Sequence, residues 1–193
     1  MSNFPIIQPV VEGEGEVASV PILLRRLATE MQVHFVEIAK PIRRSRCKIT
    51  NANDMTTVVG YAKRLNNCGA VFYLFDADDT CPKQDAIRLQ NLAAGLAYPL
   101  LSPLVLANKE YEAWFLADLP SYNADPDHKR GAKEELENQL GIHYNEIVDQ
   151  PKYTNKMDLE KVYIRSRSFQ KLVKEYFNML KSLGYKPSQW PKN

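Results

Sequence analysis

The chain has 193 residues, 45% of them hydrophobic, and a formal net charge of +2 at pH 7. This length and composition predict one globular domain, with or without an extension, and exclude a low-complexity protein. No apolar run approaches the roughly 18 residues of a transmembrane helix, and the first residues lack the regions of a signal peptide, so we expect a cytoplasmic protein without membrane contact.

Apolar runs alternate with helical patterns along the first part of the chain. Strands are predicted over residues 6–11, 33–38 and 69–75 and within residues 99–108. Apolar residues at helical spacing predict helices over residues 20–31, 55–65 and 82–96, with a short helix at Trp114 and Phe115. This alternation predicts an α/β fold, in which a mostly parallel sheet of about four strands carries helices on both faces.

The alternation weakens beyond residue 119. Residues 120–165 are polar, with short helical pieces, and the apolar residues from Phe169 to Leu180 predict a closing helix. We therefore expect an α/β core over residues 1–119 and a C-terminal loop-rich and helical extension over residues 120–193. The extension is expected to pack on the core rather than fold alone.

Acidic residues follow three of the predicted strands. They are Glu12, Glu14 and Glu16 after the first strand, Asp76 to Asp79 after the third, and Glu110 and Glu112 after the fourth. Ligands of an open parallel sheet bind outside the carboxyl ends of its strands, so these carboxylates are expected at one rim. Because such a cluster repels itself, a cation is expected within it. Oxygen ligands without histidine or cysteine favour Mg²⁺ or Mn²⁺ over zinc.

Each acidic segment also has a simpler interpretation. The helix dipole favours acids in a first turn, so EGEGE at residues 12–16 could serve only as a helix cap, and aspartate is common in turns. The segment GEGEVA at residues 13–18 also matches the outline of a dinucleotide-binding turn, with Glu37 near the end of the second strand. Three glutamates at that helix N-terminus would oppose a pyrophosphate, which disfavours this alternative.

Basic residues are concentrated in two segments. Residues 40–48 hold five bases and no acid, and residues 151–193 hold ten bases against three acids. Such segments are either solvated surface or contacts to nucleic-acid phosphates. The arginines of the first segment cluster without acidic partners, which suits bidentate phosphate contacts. The candidate nucleic-acid-binding residues are Arg43, Arg44, Arg46, Lys48, Arg165 and Arg167.

The acidic motifs resemble those of TOPRIM domains, the fold shared by topoisomerases, DnaG-type primases and OLD-family nucleases. That pattern has a glutamate closing the first strand and a D-x-D closing a later one, which here are Glu12 and the pair Asp76 and Asp78. OLD-type nucleases carry a second acid four residues after the first, and Glu16 matches it. The segments LANKEYEAWFLAD (106–118) and YTNKMDLEKVYIRSRSFQKL (153–172) resemble a family of small stand-alone TOPRIM-like proteins encoded beside an ATPase gene in bacterial defence loci.

This resemblance implies a Mg²⁺- or Mn²⁺-dependent nuclease that cuts DNA or RNA in anti-phage defence, with a partner ATPase encoded nearby. The sequence departs from the pattern in having no fused ATPase domain, which leaves targeting unaccounted for. Glu12 would bind metal or act as a general acid or base, and Asp76 and Asp78 would be metal ligands. Glu16, with Glu110 or Glu112, could complete a second metal site. Lys156 would supply positive charge in the transition state, since OLD-like nucleases use a lysine after the acidic motifs, with Arg165 and Arg167 as alternatives.

Two further functions stay open at this point. One is nucleotidyl transfer of the primase kind, although the sequence contains no evident zinc module or template-binding domain. The other is a non-enzymatic interaction subunit, in which the acids bind a structural cation or a basic surface of a partner.

Overall fold

The computed structural model describes residues 4–45, 48, 51–77 and 82–191, without the side chains of residues 82–86. Its sheet contains five strands in the described ranges. They are β1 (Ile6–Val11), β2 (Glu37–Ile38), β3 (Ile42–Arg43), β4 (Cys68–Asp76) and β5 (Leu104–Ala107). The order is β2-β1-β4-β5, with β3 also paired to β1, and every pairing is parallel. The predicted α/β fold with a parallel sheet is confirmed.

Two strand predictions need correction. The strand expected over residues 33–38 is reduced to Glu37–Ile38, and an unexpected strand, Ile42–Arg43, lies inside the basic segment. Both are too short for a period-2 pattern to reveal them. Together they cover one side of β1, since β2 pairs with Ile6 and Ile7 whereas β3 pairs with Val10 and Val11.

Pro9 is tolerated because it falls in the gap between β2 and β3. The sequence predicts an edge strand or an irregular start at this proline, yet β1 has neighbours on both sides. Proline lacks the N–H that a continuous neighbouring strand would need. At this gap the side chain of Gln8 bridges the two backbones instead, donating from Nε2 to Pro9 O (3.0 Å) and to Lys40 O (2.9 Å).

Helices follow the strands much as the apolar spacing predicts. In the described ranges they are α1 (Glu14–Glu30), α2 (Ala52–Arg64), α3 (Pro82–Ala97), α4 (Ala113–Asp118), α5 (Ala132–Leu140), α6 (Glu146–Lys156), α7 (Leu159–Arg165) and α8 (Arg167–Ser182). A short 3₁₀ helix spans Pro126–His128. None of the described helices is long and apolar enough to cross a membrane.

The two faces of the sheet bury separate cores. Along β4, Phe72 and Leu74 point into a core shared with α1 and the C-terminal helices, whereas Val71 and Tyr73 point into a core shared with α2 and α3. This alternation follows from the two-residue repeat of a strand. Helices therefore cover both faces, as predicted.

The C-terminal segment belongs to the first of these cores. Phe169 of α8 packs edge-on against Trp114 of α4, with ring centroids 5.3 Å apart. Tyr176 contacts Phe72 of β4 at 6.1 Å. Leu183, just beyond α8, lies against Gly69 at the start of β4. Helix α8 therefore runs antiparallel to the strands and begins on the side of the sheet where the strands end.

Residues 120–165 form more helix than their polarity predicts. Side-chain caps explain part of the difference: Asn145 accepts from the backbone N–H groups at the start of α6, and Asp158 does so for α7. Ser166 accepts from Phe169 N (3.1 Å) at the start of α8. Such caps satisfy N–H groups that a short helix otherwise leaves without partners.

Candidate active site at the carboxyl ends of the strands

Two of the predicted metal ligands lie at neighbouring strand ends. Glu12 directly follows Val11, which pairs with Leu74, and Asp76 is the last residue of β4. Adjacent strands are about 4.8 Å apart, so both carboxylates belong to the same rim of the sheet. Both residues are half-buried, and each has one carboxylate oxygen shielded from solvent. Asp78, the third predicted ligand, lies outside the described residues.

Glu16 turns back onto the backbone that carries Glu12. Its Oε2 accepts hydrogen bonds from the backbone N–H groups of Glu12 (2.9 Å) and Gly13 (3.0 Å). This places a carboxylate at the N-terminus of α1, where the helix dipole favours it. Glu16 is only 3% exposed. Burial raises the pKa of its carboxyl to about 7, against the lowering effect of the two N–H donors, and the nearby Glu112 raises it further.

Gly15 allows α6 to pack directly on the first turn of α1. A Cβ at this position would lie 2.5 Å from the backbone oxygen of Glu146 and 2.6 Å from Oε1 of Gln150. Farther along, Arg26 Nη1 donates to the backbone oxygen of Thr154 (2.7 Å). The two helices therefore run side by side in the same direction. The glycine that suggested a dinucleotide-binding turn instead makes room for a helix.

The basic segment reaches the acidic rim through β3. Arg43 is exposed and its Nη1 lies 3.2 Å from Oε2 of Glu14, while the backbone N–H of Arg44 donates to Val11 O (2.8 Å). The expectation that these arginines have no acidic partner is therefore wrong for Arg43. Of the other two candidates in this segment, Lys48 is exposed and Arg46 lies outside the described residues.

A shallow cleft of about 510 Å³ opens beside this pair. Its walls include Glu14 and Val17 of α1, Lys40 and Arg43 of the basic segment, and Ile147 of α6. The cleft combines two cations with an apolar wall next to the strand end that carries Glu12. Lys40 was counted in the basic segment but was not a candidate site residue, and Ile147 did not stand out in the sequence, because the cleft depends on how β3 and α6 meet α1.

Glu110 and Glu112 are held by the protein itself. Glu110 accepts from the backbone N–H groups of Gly131 (2.9 Å) and Lys133 (3.2 Å), which caps α5. Glu112 is buried and its Oε1 accepts from Tyr144 Oη (3.0 Å) and Gln150 Nε2 (3.1 Å). Burial raises the pKa of the Glu112 carboxyl. These contacts give both residues a structural role beside the rim.

The three C-terminal candidates are not brought to Glu12 and Asp76. Lys156 is the last residue of α6, and α6 begins at the rim, so Lys156 lies about 15 Å farther along that helix. Arg165 donates from its guanidinium to the backbone oxygens of Ala117, Leu119 and Tyr122, where it ties α7 to the end of α4. Arg167 is exposed at the start of α8.

Lys109 is a rim residue that the sequence did not single out. It follows β5 by two positions and adopts a left-handed backbone conformation, with φ of 68°. Such a conformation is uncommon for a residue other than glycine, and strained residues of this kind cluster at functional sites. Since β5 neighbours β4, Lys109 belongs to the same edge of the sheet as Asp76.

The donor chemistry of the rim suits a hard divalent cation. Glu12 and Asp76 offer carboxylate oxygens, which Mg²⁺ and Mn²⁺ prefer. Within the described part of the chain, which excludes Asp78, no three side chains from histidine, cysteine, aspartate and glutamate are grouped as a metal site. No protein-family model, curated protein or solved structure matches this chain.

Proposed function

We propose that this protein is a divalent-metal-dependent nuclease whose active site is the rim formed by Glu12 and Asp76. The observation that carries the proposal is the position of Glu12 and Asp76 at adjacent parallel strand ends, beside Arg43 of β3. Open parallel sheets bind their ligands at this edge. The resemblance of the acidic motifs to TOPRIM domains supports the same chemistry.

Each rim residue has a role in phosphodiester hydrolysis. Asp76 and Glu12, together with Asp78, would hold Mg²⁺ or Mn²⁺, which supplies Lewis-acid activation of water and stabilises developing charge. Glu12 would also accept the proton of the attacking water. Glu16 fixes the backbone of Glu12 through its hydrogen bonds. Arg43 and Lys109 contribute positive charge for the phosphate.

The alternatives have less support from the geometry. A dinucleotide pyrophosphate would need the N–H groups around the start of α1, but the Glu16 carboxylate already accepts from Glu12 and Gly13 just before the helix, and α6 covers Gly15. Primase-like nucleotidyl transfer would use the same carboxylates, so it stays the second candidate. An interaction subunit would need the acids only to bind a cation or a basic partner. A role in anti-phage defence with a partner ATPase rests on the family resemblance alone.

The proposal is tested with plasmid DNA, single-stranded DNA and transfer RNA, each incubated with the purified chain and Mg²⁺, Mn²⁺ or EDTA. We expect metal-dependent cleavage of at least one substrate. Glu12→Gln and Asp76→Asn should abolish it, whereas Glu14→Gln, a change on the exposed side of the same turn, should retain most of it. Nucleotide incorporation without cleavage would support the primase-like candidate. Cleavage that survives Asp76→Asn would refute the proposed site.

A further inference from the structure

A second groove lies on the C-terminal side of the molecule. It has a volume of about 560 Å³ and is formed by α7, the exposed face of α8 and the segment around Trp190. Its cationic lining is supplied by Arg167, Lys171 and Lys174 and its aromatic lining by Tyr163, Phe177 and Trp190. None of the described residues that line it is acidic.

The cations form one stripe along α8. Arg167, Lys171 and Lys174 are separated by four and three residues, which places them on one helix face over about 10 Å. All three are exposed. Lys171 pairs with Glu175 at 2.6 Å, and solvent screening keeps such a pair on a helix surface weak. A phosphate could therefore compete for this lysine at little cost.

The aromatic side supplies flat surfaces beside that stripe. The rings of Trp190 and Tyr163 meet edge to face, with centroids 5.7 Å apart. Both residues are only partly buried, so their rings are accessible from the groove. Aromatic rings next to a line of cations are the arrangement by which proteins hold single-stranded nucleic acid, since unpaired bases stack while the backbone follows the charges.

The groove is separate from the rim but leads towards it. Arg167 begins α8, and Phe169 in the same first turn contacts Trp114 of α4, the helix that follows β5. The end of β5 is adjacent to the end of β4, which carries Asp76. A single strand of nucleic acid that lies along α8 would therefore approach the carboxylates of Glu12 and Asp76 from the β5 side of the sheet.

We infer that this groove binds a single-stranded segment of nucleic acid, with phosphates on Arg167, Lys171 and Lys174 and a base stacked on Trp190. The inference deepens the proposed nuclease function by naming the substrate class. Duplex ends and double-stranded regions bind less well, because their bases are already stacked and paired.

Binding is measured by fluorescence anisotropy in EDTA, where no cleavage occurs, with labelled oligothymidine and oligouridine of about 20 nucleotides and a duplex of equal length. The charge variant is Arg167→Ala/Lys171→Ala/Lys174→Ala, and the stacking variant is Trp190→Leu, which keeps an apolar side chain. The matched control is Lys63→Ala/Arg64→Ala/Arg88→Ala, which removes three exposed cations from α2 and α3 on the opposite face of the sheet.

We expect wild type to bind single strands at least tenfold more tightly than the duplex. The charge variant should reduce the slope of log K against log salt by about 2, as three lost phosphate contacts predict. Trp190→Leu should weaken binding by about tenfold, and the control should stay close to wild type. A comparison of the DNA and RNA strands identifies which sugar is preferred.

The inference is overturned if the charge variant binds like the control or if Trp190→Leu has no effect on binding. It is also overturned if heparin binds as tightly as the oligonucleotides, because the groove would then accept any polyanion. These outcomes are independent of cleavage. If the protein never cuts nucleic acid but both variants lose single-strand binding, the groove is supported as a binding site and the nuclease function is refuted. If both variants cut normally and bind single strands as wild type does, the nuclease function is supported and the groove is refuted as a binding site.

Discussion

Gly15 sets the distance between α1 and α6 at the start of the acidic rim. A methyl group there would meet the backbone oxygen of Glu146 at 2.5 Å. Overpacking against a rigid backbone costs about 1–3 kcal/mol, and at the second residue of α1 alanine regains less than the about 1 kcal/mol it gives over glycine in a helix interior. We expect Gly15→Ala to lower the free energy of unfolding by about 1–2 kcal/mol, measured by denaturant titration.

Gly13 provides the matched control for this change. The atom nearest to a Cβ added at Gly13 would be Glu16 Cδ, at 3.6 Å, which is an ordinary van der Waals contact. Because Gly13 is the N-cap of α1, Gly13→Ala should cost only the weaker capping of alanine relative to glycine, about 0.5 kcal/mol. Equal stability of the two variants would mean that α6 does not press on Gly15 in solution.

Glu16 should make the stability of the protein depend on pH. The pKa of its carboxyl rises from 4.5 to about 7 on folding, chiefly through burial. Between these values the unfolded chain loses the proton while the folded chain keeps it, so the stabilisation that protonation provides is present below about pH 4.5 and lost as pH rises through 7. Glu16→Gln cannot ionise and should flatten the pH profile over this range.

The pH profile is recorded by thermal unfolding in EDTA from about pH 4.5 to 8.5. Glu14→Gln, an exposed carboxylate in the same helical turn, serves as the control and should keep the wild-type profile. Parallel profiles for wild type and Glu16→Gln would show that the Glu16 carboxyl is not buried as described.

At the scale of elements, the direction of α6 decides which lysine can act at the rim. Lys156 lies at the far end of α6, whereas Lys109 follows β5 at the rim itself with φ of 68°. We expect Lys109→Ala to reduce cleavage at least about tenfold, as for loss of a charge-stabilising group, and Lys156→Ala to leave it within about twofold. Single-turnover cleavage rates measure the effect of both substitutions. A larger loss for Lys156→Ala than for Lys109→Ala would assign the charge-stabilising role to Lys156.

The positions of the strand ends could be predicted from the sequence, whereas the directions of the C-terminal helices could not. Glu12 and Asp76 could be placed together because a parallel sheet aligns its carboxyl ends, and apolar runs mark β1 and β4 clearly. The sequence holds no comparable signal for the direction of α6 against α1, which becomes visible only through tertiary contacts such as those of Gly15 and Arg26. The strand at Arg43 was missed because two paired residues leave no periodic pattern.

At the scale of the whole molecule, the sheet and the C-terminal helices share one core. Ile7 and Phe72 of the sheet belong to the same buried cluster as Leu136 of α5, Val162 of α7 and Leu172 of α8. A helix with an apolar face needs a surface to bury it. We therefore expect a fragment of residues 120–193 to lack a cooperative unfolding transition, as followed by circular dichroism during heating. A cooperative transition would define a second domain.

The central claim is that Glu12 and Asp76 bind a divalent cation at the rim, and calorimetry of metal-dependent stability tests it most directly. Ligand that binds only the folded state stabilises it by mass action, by about 2.7 kcal/mol at 100 times the dissociation constant. Wild type should melt at a higher temperature as Mg²⁺ or Mn²⁺ is added, and Asp76→Asn should lose much of that shift. Metal-free Asp76→Asn is expected to be at least as stable as wild type, because like-charge repulsion is relieved. A wild-type melting temperature that does not change when millimolar Mg²⁺ or Mn²⁺ is added would contradict the claim.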